Sequence, residues 1–204
     1  MALARWFVST GRGQYSRKMG QAKEIDNSKK RDLLVFGDGM ENFNILRVKI
    51  GAAPEVTNIL RDAALWLNRK GIVQWSDFLN PEQAQMVVNK RFAEGEVFLG
   101  YLDGIAAATI TLQWKDEFWG ELGSDPSAGY IHTMAVKREY AGRGIGGELL
   151  NWADDYFEQG GRTRTRLDCI EKNERLCRFY DDLNFKTIGR KDWNGIGLLM
   201  KERQ

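Results

Sequence analysis

The spacing of hydrophobic residues after residue 44 switches repeatedly between the pattern of strands and the pattern of helices. Short apolar or alternating runs predict strands at residues 45–50, 96–101, 104–114, 130–136, 163–170, 185–189 and 196–201. Apolar residues three and four apart predict helices at residues 54–69, 81–93 and 173–183, and one after Gly147 with the apolar face Leu149, Leu150, Trp152, Ala153, Tyr156 and Phe157. The predicted order is therefore βααβββαβαββ, a mixed α+β domain.

Residues with known positional preferences support these boundaries. Pro54 suits the first turn of the first helix, and Asn80 followed by Pro81 suits the cap and first position of the second. Residues 102–104 contain Asp-Gly and predict a hairpin between the second and third strands. These local signals fix where the elements begin and end, but not how they pack.

Four glycines lie within six residues, between the strand at 130–136 and the helix that follows it: Gly142, Gly144, Gly146 and Gly147. The start of a helix exposes unpaired backbone N–H groups at the positive end of the helix dipole, where anions bind. Glycines let a phosphate approach the backbone with no Cβ in the way. The segment therefore predicts an anion site, although glycines that merely permit a tight turn remain the alternative.

Two common nucleotide motifs do not account for this loop. A Walker loop requires Gly-Lys-Ser/Thr, and the corresponding residues here are Gly-Ile-Gly-Gly. Gly142, Gly144 and Gly147 satisfy the glycine spacing of a dinucleotide-binding fingerprint, but that fingerprint follows the first strand of its domain. This loop follows a strand past the middle of the chain.

Composition narrows the class of protein. The 204 residues suit one domain with or without an appendage, and the net charge of +2 is too small to indicate nucleic acid or an acidic membrane as partner. A single histidine argues against a His-rich metal site, and we expect no metal. Cys169 and Cys177 form no disulfide framework and are expected to be buried thiols. The two cysteines without a disulfide framework favour an intracellular, cytoplasmic protein. No 18-residue apolar run predicts a membrane span, and residues 1–10 lack the apolar core of a secretory signal.

Residues 1–44 differ from the rest of the chain. They carry eight basic and five acidic residues, five glycines and little hydrophobic periodicity. We expect a poorly ordered N-terminal extension, in which residues 33–36 are the stretch able to add a short strand. The folded domain is expected at residues 45–204.

Residues 134–150, with the sequence MAVKREYAGRGIGGELL, resemble motif A of the GNAT superfamily, the acetyl-CoA-dependent N-acetyltransferases. That motif is Gln/Arg-x-x-Gly-x-Gly/Ala, and Ala141, Gly144 and Gly146 occupy its key positions. Asn173 and residues 178–185 are similar to motif B, with Asn184 where glycine is common; both residues tolerate left-handed backbone angles. The resemblance spans about residues 45–204 and implies the GNAT acyl-CoA N-acyltransferase fold, with a splayed central strand pair.

The resemblance also implies how acetyl-CoA would be held as co-substrate. In this family the strand before the glycine loop pairs with the pantetheine arm, the loop amides hold the pyrophosphate, and the motif B asparagine bonds a pantetheine amide or caps its helix. Ala141 departs from the usual Gln or Arg and loses one side-chain contact to phosphate. The implied binding residues are Met134, Ala135, Val136, Ala141, Gly142, Arg143, Gly144, Ile145, Gly146, Gly147, Asn173 and Tyr180.

The resemblance implies a histidine base on the central strand. Strand alternation predicts that four side chains share one face: Tyr130, His132, Met134 and Val136. In arylalkylamine N-acetyltransferases, histidines on this face pass the amine proton to water, and His132 falls on one of those positions. The alternatives are that His132 is a packed core residue, or that Glu117 or Glu121 in the preceding loop is the base.

Tyr180, seven residues after Asn173, matches the family tyrosine that protonates the departing thiolate. The alternative is a tyrosine that only anchors its helix to the sheet.

The acceptor would contact the variable loops at residues 71–79 and 115–128. Trp75 and Phe78 are expected to be exposed there, and the acids Asp77, Glu117 and Glu121 would attract a cation. The predicted substrate-binding residues are Gln74, Trp75, Phe78, Trp114, Trp119 and Tyr130. This composition favours a small-molecule amine acceptor. A protein or peptide N-acetyltransferase and a non-catalytic acyl-CoA sensor remain alternatives, and a homodimer through the last strands is open.

Overall fold

The computed structural model describes residues 42–204. Its strands are β1 (Phe43–Arg47), β2 (Glu96–Leu102), β3 (Ile105–Gln113), β4 (Ala128–Val136), β5 (Arg164–Ile170), β6 (Lys186–Trp193) and β7 (Ile196–Arg203). Its α-helices are α1 (Ala53–Arg69), α2 (Pro81–Glu94), α3 (Ile145–Gln159) and α4 (Glu174–Asp182). Short 3₁₀ segments lie at Ile50–Ala52, Ser76–Leu79, Glu117–Ser124 and Arg138–Tyr140. The order βααβββαβαββ is the predicted one, and the mixed α+β class is confirmed.

The seven strands form one sheet in the order β1-β2-β3-β4-β5-β7-β6. Neighbouring strands are antiparallel except for the parallel pair β4 and β5. The first strand begins at Phe43, two residues before the predicted start, because Phe43 and Ile45 are buried and pair with β2. The expected extension up to residue 41, including the strand considered at 33–36, lies outside the described residues.

The helix boundaries follow from the capping residues. The Asn80 side chain accepts hydrogen bonds from the backbone N–H groups of Glu82 and Gln83, both at 3.0 Å, and so caps α2. The Asn173 side chain caps α4 through the Leu176 N–H at 3.3 Å. The predicted inner face of α1 is buried as expected, and its residues are Val56, Ile59, Leu60, Ala63, Ala64 and Leu67.

Helices cover both faces of the central strand. All nine residues of β4 are buried, and α1 and α3 both contact β3 and β4. On the α3 face Gly129 leaves room for the Phe157 ring, because a Cβ at Gly129 would lie 2.2 Å from that ring. No helix within residues 42–204 is long and apolar enough to cross a membrane.

The central strand pair opens partway along its length. β4 pairs with β5 only from Ala128 to Tyr130, opposite residues 164–166. Beyond Tyr130 the two strands separate, although β4 continues to Val136 and remains paired with β3 on its other side. The expected splay is therefore present.

A bulge in β4 changes which side chains share a face. Thr133 has a φ of 41° and its hydroxyl lies 2.8 Å from that of Thr111, and the β3–β4 register shifts by one residue at this point. His132 pairs with Thr111, but Val136 pairs with Ala108, which has the opposite parity along β3. The prediction that Tyr130, His132, Met134 and Val136 share one face is therefore wrong. The extra residue interrupts the alternation, so Tyr130 and His132 keep one face and Val136 lies on the other.

The expected exposure of Trp75 and Phe78 is also wrong. Both side chains are fully buried, with ring centroids 5.9 Å apart in an edge-to-face arrangement. The loop before α2 turns inward because Trp75 adopts a left-handed backbone conformation, with φ 61° and ψ 30°. Both aromatic residues therefore belong to the main core.

Candidate active site

The glycine loop has the backbone geometry that its sequence predicts. Gly142 and Gly144 both have φ of 83°, a left-handed conformation that favours glycine, and Gly144 is the residue preceding the first turn of α3. Space beside Gly142 and Gly147 is open, because a Cβ at either position would meet no atom within 4 Å. The loop therefore presents bare backbone.

Backbone N–H groups without acceptors are concentrated in the glycine loop. The amides of Tyr140 and Ala141 bond within the preceding turn, and the amides of Gly147 and Glu148 bond to the Gly144 carbonyl at 2.9 and 3.2 Å. Within residues 42–204, the N–H groups between these turns donate to no acceptor, and they belong to Gly142, Arg143, Gly144, Ile145 and Gly146. Five donors at a helix N-terminus form a site suited to an anion.

Basic side chains lie beside the loop. The Arg143 guanidinium lies 5.4 Å from the centre of the Tyr140 ring and is exposed. The Arg138 guanidinium lies 4.2 Å from the Trp66 ring, and burial, followed by the nearby charge of Arg175, lowers the pKa of Arg138. The loop therefore combines bare amides with positive charge.

The unpaired edge of β4 leads into the loop. Met134, Ala135 and Val136 lie in the part of β4 that has left β5, and all three are buried. Their other edge bonds to β3, where Ala135 and Val136 face Thr109 and Ala108. An extended ligand chain between β4 and β5 would find backbone partners there.

Tyr180 is fully buried on the inner side of α4. Its ring contacts Phe179 and Phe185 at centroid distances of 5.4 and 5.7 Å. Burial raises the pKa of Tyr180 well above its ordinary value, and the nearby Cys169 and Asp168 add to the effect. The phenol is therefore neutral at physiological pH and retains a proton to donate.

His132 lies against a carboxylate that the sequence did not single out. Its Nε2 atom is 3.3 Å from Oδ2 of Asp116, and both side chains are buried. The two alternative bases, Glu117 and Glu121, are exposed on the same loop. In the sequence, Asp116 is an aspartate at the start of a loop. That pattern indicates a turn or helix cap and does not identify a partner for histidine.

The predicted acceptor residues lie in three separate places. Gln74 is buried and accepts a hydrogen bond from Asn173 Nδ2 at 3.4 Å, with Trp75 and Phe78 beside it in the core. Trp119 packs edge-to-face on Tyr130 at 5.7 Å.

Trp114 lies elsewhere, because its ring packs on Phe157 of α3 and its indole N–H donates to Glu96 at 2.8 Å. The structure therefore brings Trp119 and Tyr130 together on the strand that carries His132, and leaves Trp114 against α3.

Tyr130 is held by the 115–128 loop. Its hydroxyl donates to the Leu122 carbonyl and lies 3.3 Å from the Arg166 guanidinium. Burial raises the pKa of Tyr130. A cavity of about 320 Å³ lies elsewhere, between α1 and the β2–β3 hairpin, and its lining contains no predicted site residue.

The model of the acetyltransferase (GNAT) family matches residues 60–185. A curated relative, the uncharacterized N-acetyltransferase YesJ of Bacillus subtilis, is 32% identical over 155 residues, which are 74% of this chain and 84% of YesJ.

Solved acetyltransferase structures are also similar to this chain. A GNAT-family acetyltransferase from Listeria monocytogenes is 25% identical with a TM-score of 0.66, over 84% of this chain and 99% of that one. The PaiA N-acetyltransferase of Thermoplasma acidophilum, solved in complex with coenzyme A, has the same fold at 15% identity and a TM-score of 0.62, over 80% and 99% of the two chains.

Proposed function

The chain belongs to the GNAT family of acetyltransferases, and from this premise we propose that it transfers the acetyl group of acetyl-CoA to the primary amine of a small molecule. Membership makes it an acyltransferase with acetyl-CoA as co-substrate. The finer parts of the proposal are the acceptor and the roles of individual residues.

One observation carries the proposal: five backbone N–H groups without acceptors in the described chain lie beside the unpaired edge of β4. Diphosphate oxygens would satisfy the amides of residues 142–146, and a pantetheine chain would pair with the backbone of residues 134–136. Asn173 serves as the cap of α4 and as a donor to Gln74, and so ties the start of α4 to the α1–α2 loop. Unpaired amides and an unpaired strand edge are the backbone groups that a diphosphate and a pantetheine chain require, which supports the proposal.

The chemistry requires three proton transfers, two from the amine nitrogen and one to the departing sulfur. The bound thioester supplies an activated acyl group, and the amine nitrogen attacks its carbonyl carbon directly while the carbon–sulfur bond breaks. Tyr180 donates its phenolic proton to the departing sulfur, and its raised pKa keeps that proton on the phenol at physiological pH until then. His132 receives, through water, the proton that the ammonium loses before it attacks as the free amine. The second proton that the nitrogen loses as the amide forms restores the Tyr180 phenol.

A small acceptor is supported by the protein groups around His132. Trp119 and Tyr130 form an aromatic pair on the same strand face, and the exposed carboxylates Glu117 and Glu121 lie on the loop above it. Both rings are buried, and the Arg166 guanidinium lies 5.8 and 6.0 Å from their centres, so the rings supply an apolar wall while the exposed carboxylates attract an ammonium group. We infer an acceptor that carries a primary amine on a compact apolar body.

Free-thiol release from acetyl-CoA tests the acceptor class. The arms are a panel of small primary amines, peptides with a free N-terminus, and peptides with an internal lysine. We expect turnover with members of the small-amine panel. Turnover restricted to peptides would move the acceptor to proteins, and acetyl-CoA binding without thiol release in any arm would make the chain a sensor.

Tyr180→Phe tests the acid. The substitution keeps the ring that packs on Phe179 and Phe185 and removes only the hydroxyl. We expect kcat to fall by about 10²–10⁴-fold, the usual contribution of a positioned proton donor, with little change in the KM for acetyl-CoA. Tyr156→Phe is the matched control, because that hydroxyl donates to Glu96. Equal activity of the two variants would remove Tyr180 from the mechanism.

A further inference from the structure

Asp116 places a carboxylate against the proposed base. Its Oδ2 lies 3.3 Å from Nε2 of His132, and the two side chains are 7% and 1% exposed. A buried carboxylate against one ring nitrogen favours the tautomer that carries its hydrogen on that nitrogen. The contact therefore bears on which nitrogen of His132 accepts a proton.

The carboxylate is held in place by the turn that follows it. Its Oδ1 accepts a hydrogen bond from the Phe118 N–H at 3.0 Å. The Asp116 backbone N–H donates to the Gly123 carbonyl, and its own carbonyl accepts from the Trp119 N–H, both at 2.9 Å. A Cβ at Gly123 would lie 1.9 Å from the Asp116 carbonyl oxygen, so this close approach requires glycine. Oδ1 is therefore engaged within the loop while Oδ2 faces the ring.

We infer that Asp116 is a positioning residue that holds the His132 hydrogen on Nε2, so that Nδ1 is the nitrogen that accepts the proton from the amine. This inference rests on the proposed role of His132 as base. Asp116 acts through His132: it stabilises the ring in one tautomer and favours the imidazolium that forms when Nδ1 takes a proton. No proton needs to move onto Asp116 itself.

The tautomer of His132 is directly observable, because His132 is the one histidine in the sequence. Protein labelled with ¹⁵N-histidine gives one pair of ring-nitrogen signals, and their shifts distinguish a protonated from an unprotonated nitrogen. For neutral His132 in the wild-type protein we expect hydrogen on Nε2 and none on Nδ1. Hydrogen on Nδ1 would overturn the inference, and this measurement requires no variant to fold.

The Asp116→Asn variant tests the inference through its effect on the tautomer and on kcat. The amide oxygen can still accept from the Phe118 N–H, while the amide NH₂ then faces Nε2 and donates to it. The ring hydrogen should therefore move to Nδ1, and kcat should fall by about 10²–10⁴-fold, the range for loss of a general base. An unchanged tautomer together with unchanged kcat would contradict the inference. Asp103→Asn, a carboxylate-to-amide change in the β2–β3 turn, is the control and should alter neither the spectrum nor kcat.

His132→Ala separates this inference from the proposed function. Full turnover in His132→Ala would remove histidine as the base and direct attention to Glu117 and Glu121, even if the Nε2–H tautomer were observed. Loss of turnover in His132→Ala together with an Nδ1–H wild-type ring would keep the base and remove Asp116 from its role.

Discussion

Arg166 lies beneath the loop that carries Asp116, on the same side of the sheet as Tyr130. Its side chain is 2% exposed and donates to Glu202 at 2.8 Å, to Asp125 at 2.6 Å and to the Leu122 carbonyl at 2.8 Å. A buried guanidinium is tolerated only where its donors are satisfied. The pairing therefore helps to fix the 115–128 loop, and with it the position of Asp116, through electrostatics in addition to the packing of Trp119 on Tyr130.

Asp125 makes the stabilisation by the Arg166 ion pairs sensitive to acid. The Ser127 hydroxyl, then the Ser127 N–H and the Arg166 charge, lower the pKa of Asp125 to about 2. Because the folded pKa lies below the unfolded value near 4, the stabilisation is fully present above about pH 4 and is lost as the pH falls to about 2. In Asp125→Asn this contribution is absent, so its difference in Tm from wild type should shrink between pH 4 and pH 2.

Ser127→Ala is the companion variant, because it removes the principal cause of the lowered pKa. Its acid-induced loss of Tm should be smaller than in the wild type and complete at a higher pH, because the folded pKa of Asp125 then lies closer to the unfolded value. A Tm difference between wild type and Asp125→Asn that stays constant across the window would contradict the prediction.

Residue roles that depend on local sequence were predictable, and those that depend on distant contacts were not. The Asn173 cap and the left-handed Asn184, with φ of 65°, follow from neighbouring residues and are confirmed. The contact between Asp116 and His132 joins positions 16 residues apart across a folded loop, and no spacing rule encodes it. The burial of Trp75 depends on a left-handed backbone at a tryptophan, which sequence preference argues against.

The glycine loop is the element on which cofactor binding depends. Gly142→Ala forces a left-handed residue to carry a Cβ, which costs about 1–2 kcal/mol although the surrounding space is open. The strain is relieved by rotation of the backbone, which turns the loop N–H groups away from the diphosphate. We expect a lower Tm and weaker acetyl-CoA binding by calorimetry.

Gly104→Ala is the matched control for that prediction. Gly104 has φ of 79° and open space beside it, but it lies in the β2–β3 hairpin. Its Tm should fall by a similar amount while acetyl-CoA affinity stays at the wild-type value. Equal loss of affinity in both variants would mean that global strain, and not the loop amides, weakens binding.

Element order was predictable because strands, helices and turns each leave a periodic or punctuating signal. The bulge in β4 was not, because Thr133 is an ordinary strand residue and the apolar run continues through it. The register against β3 determines the bulge, and register is a property of two strands together. This is why the face of His132 was predicted correctly relative to Tyr130, while that of Val136 was wrong.

The sheet consists of two parts that are connected by a short stretch of strand pairing. Strands β1 to β4 form one part and β5, β7 and β6 the other, connected by the short pairing at residues 128–130. Helix α3 spans this β4–β5 connection, because it contacts both strands. Its Leu150 carbonyl also accepts a hydrogen bond from Arg203 of β7 at 2.9 Å. A ligand chain between the separated ends of β4 and β5 would add backbone bonds across the opening.

Coenzyme A should therefore stabilise the molecule as a whole and protect two specific segments. A ligand present at 100 times its Kd adds about 2.7 kcal/mol, which for a chain of this size raises Tm by roughly 5–10 °C. Hydrogen exchange should slow at residues 134–136 and 142–146, where backbone groups gain partners, and remain unchanged in the β2–β3 hairpin. Pantetheine lacks the diphosphate, so it should protect the strand edge but not the loop. Equal protection of the loop by pantetheine would mean that the five amides do not bind the diphosphate.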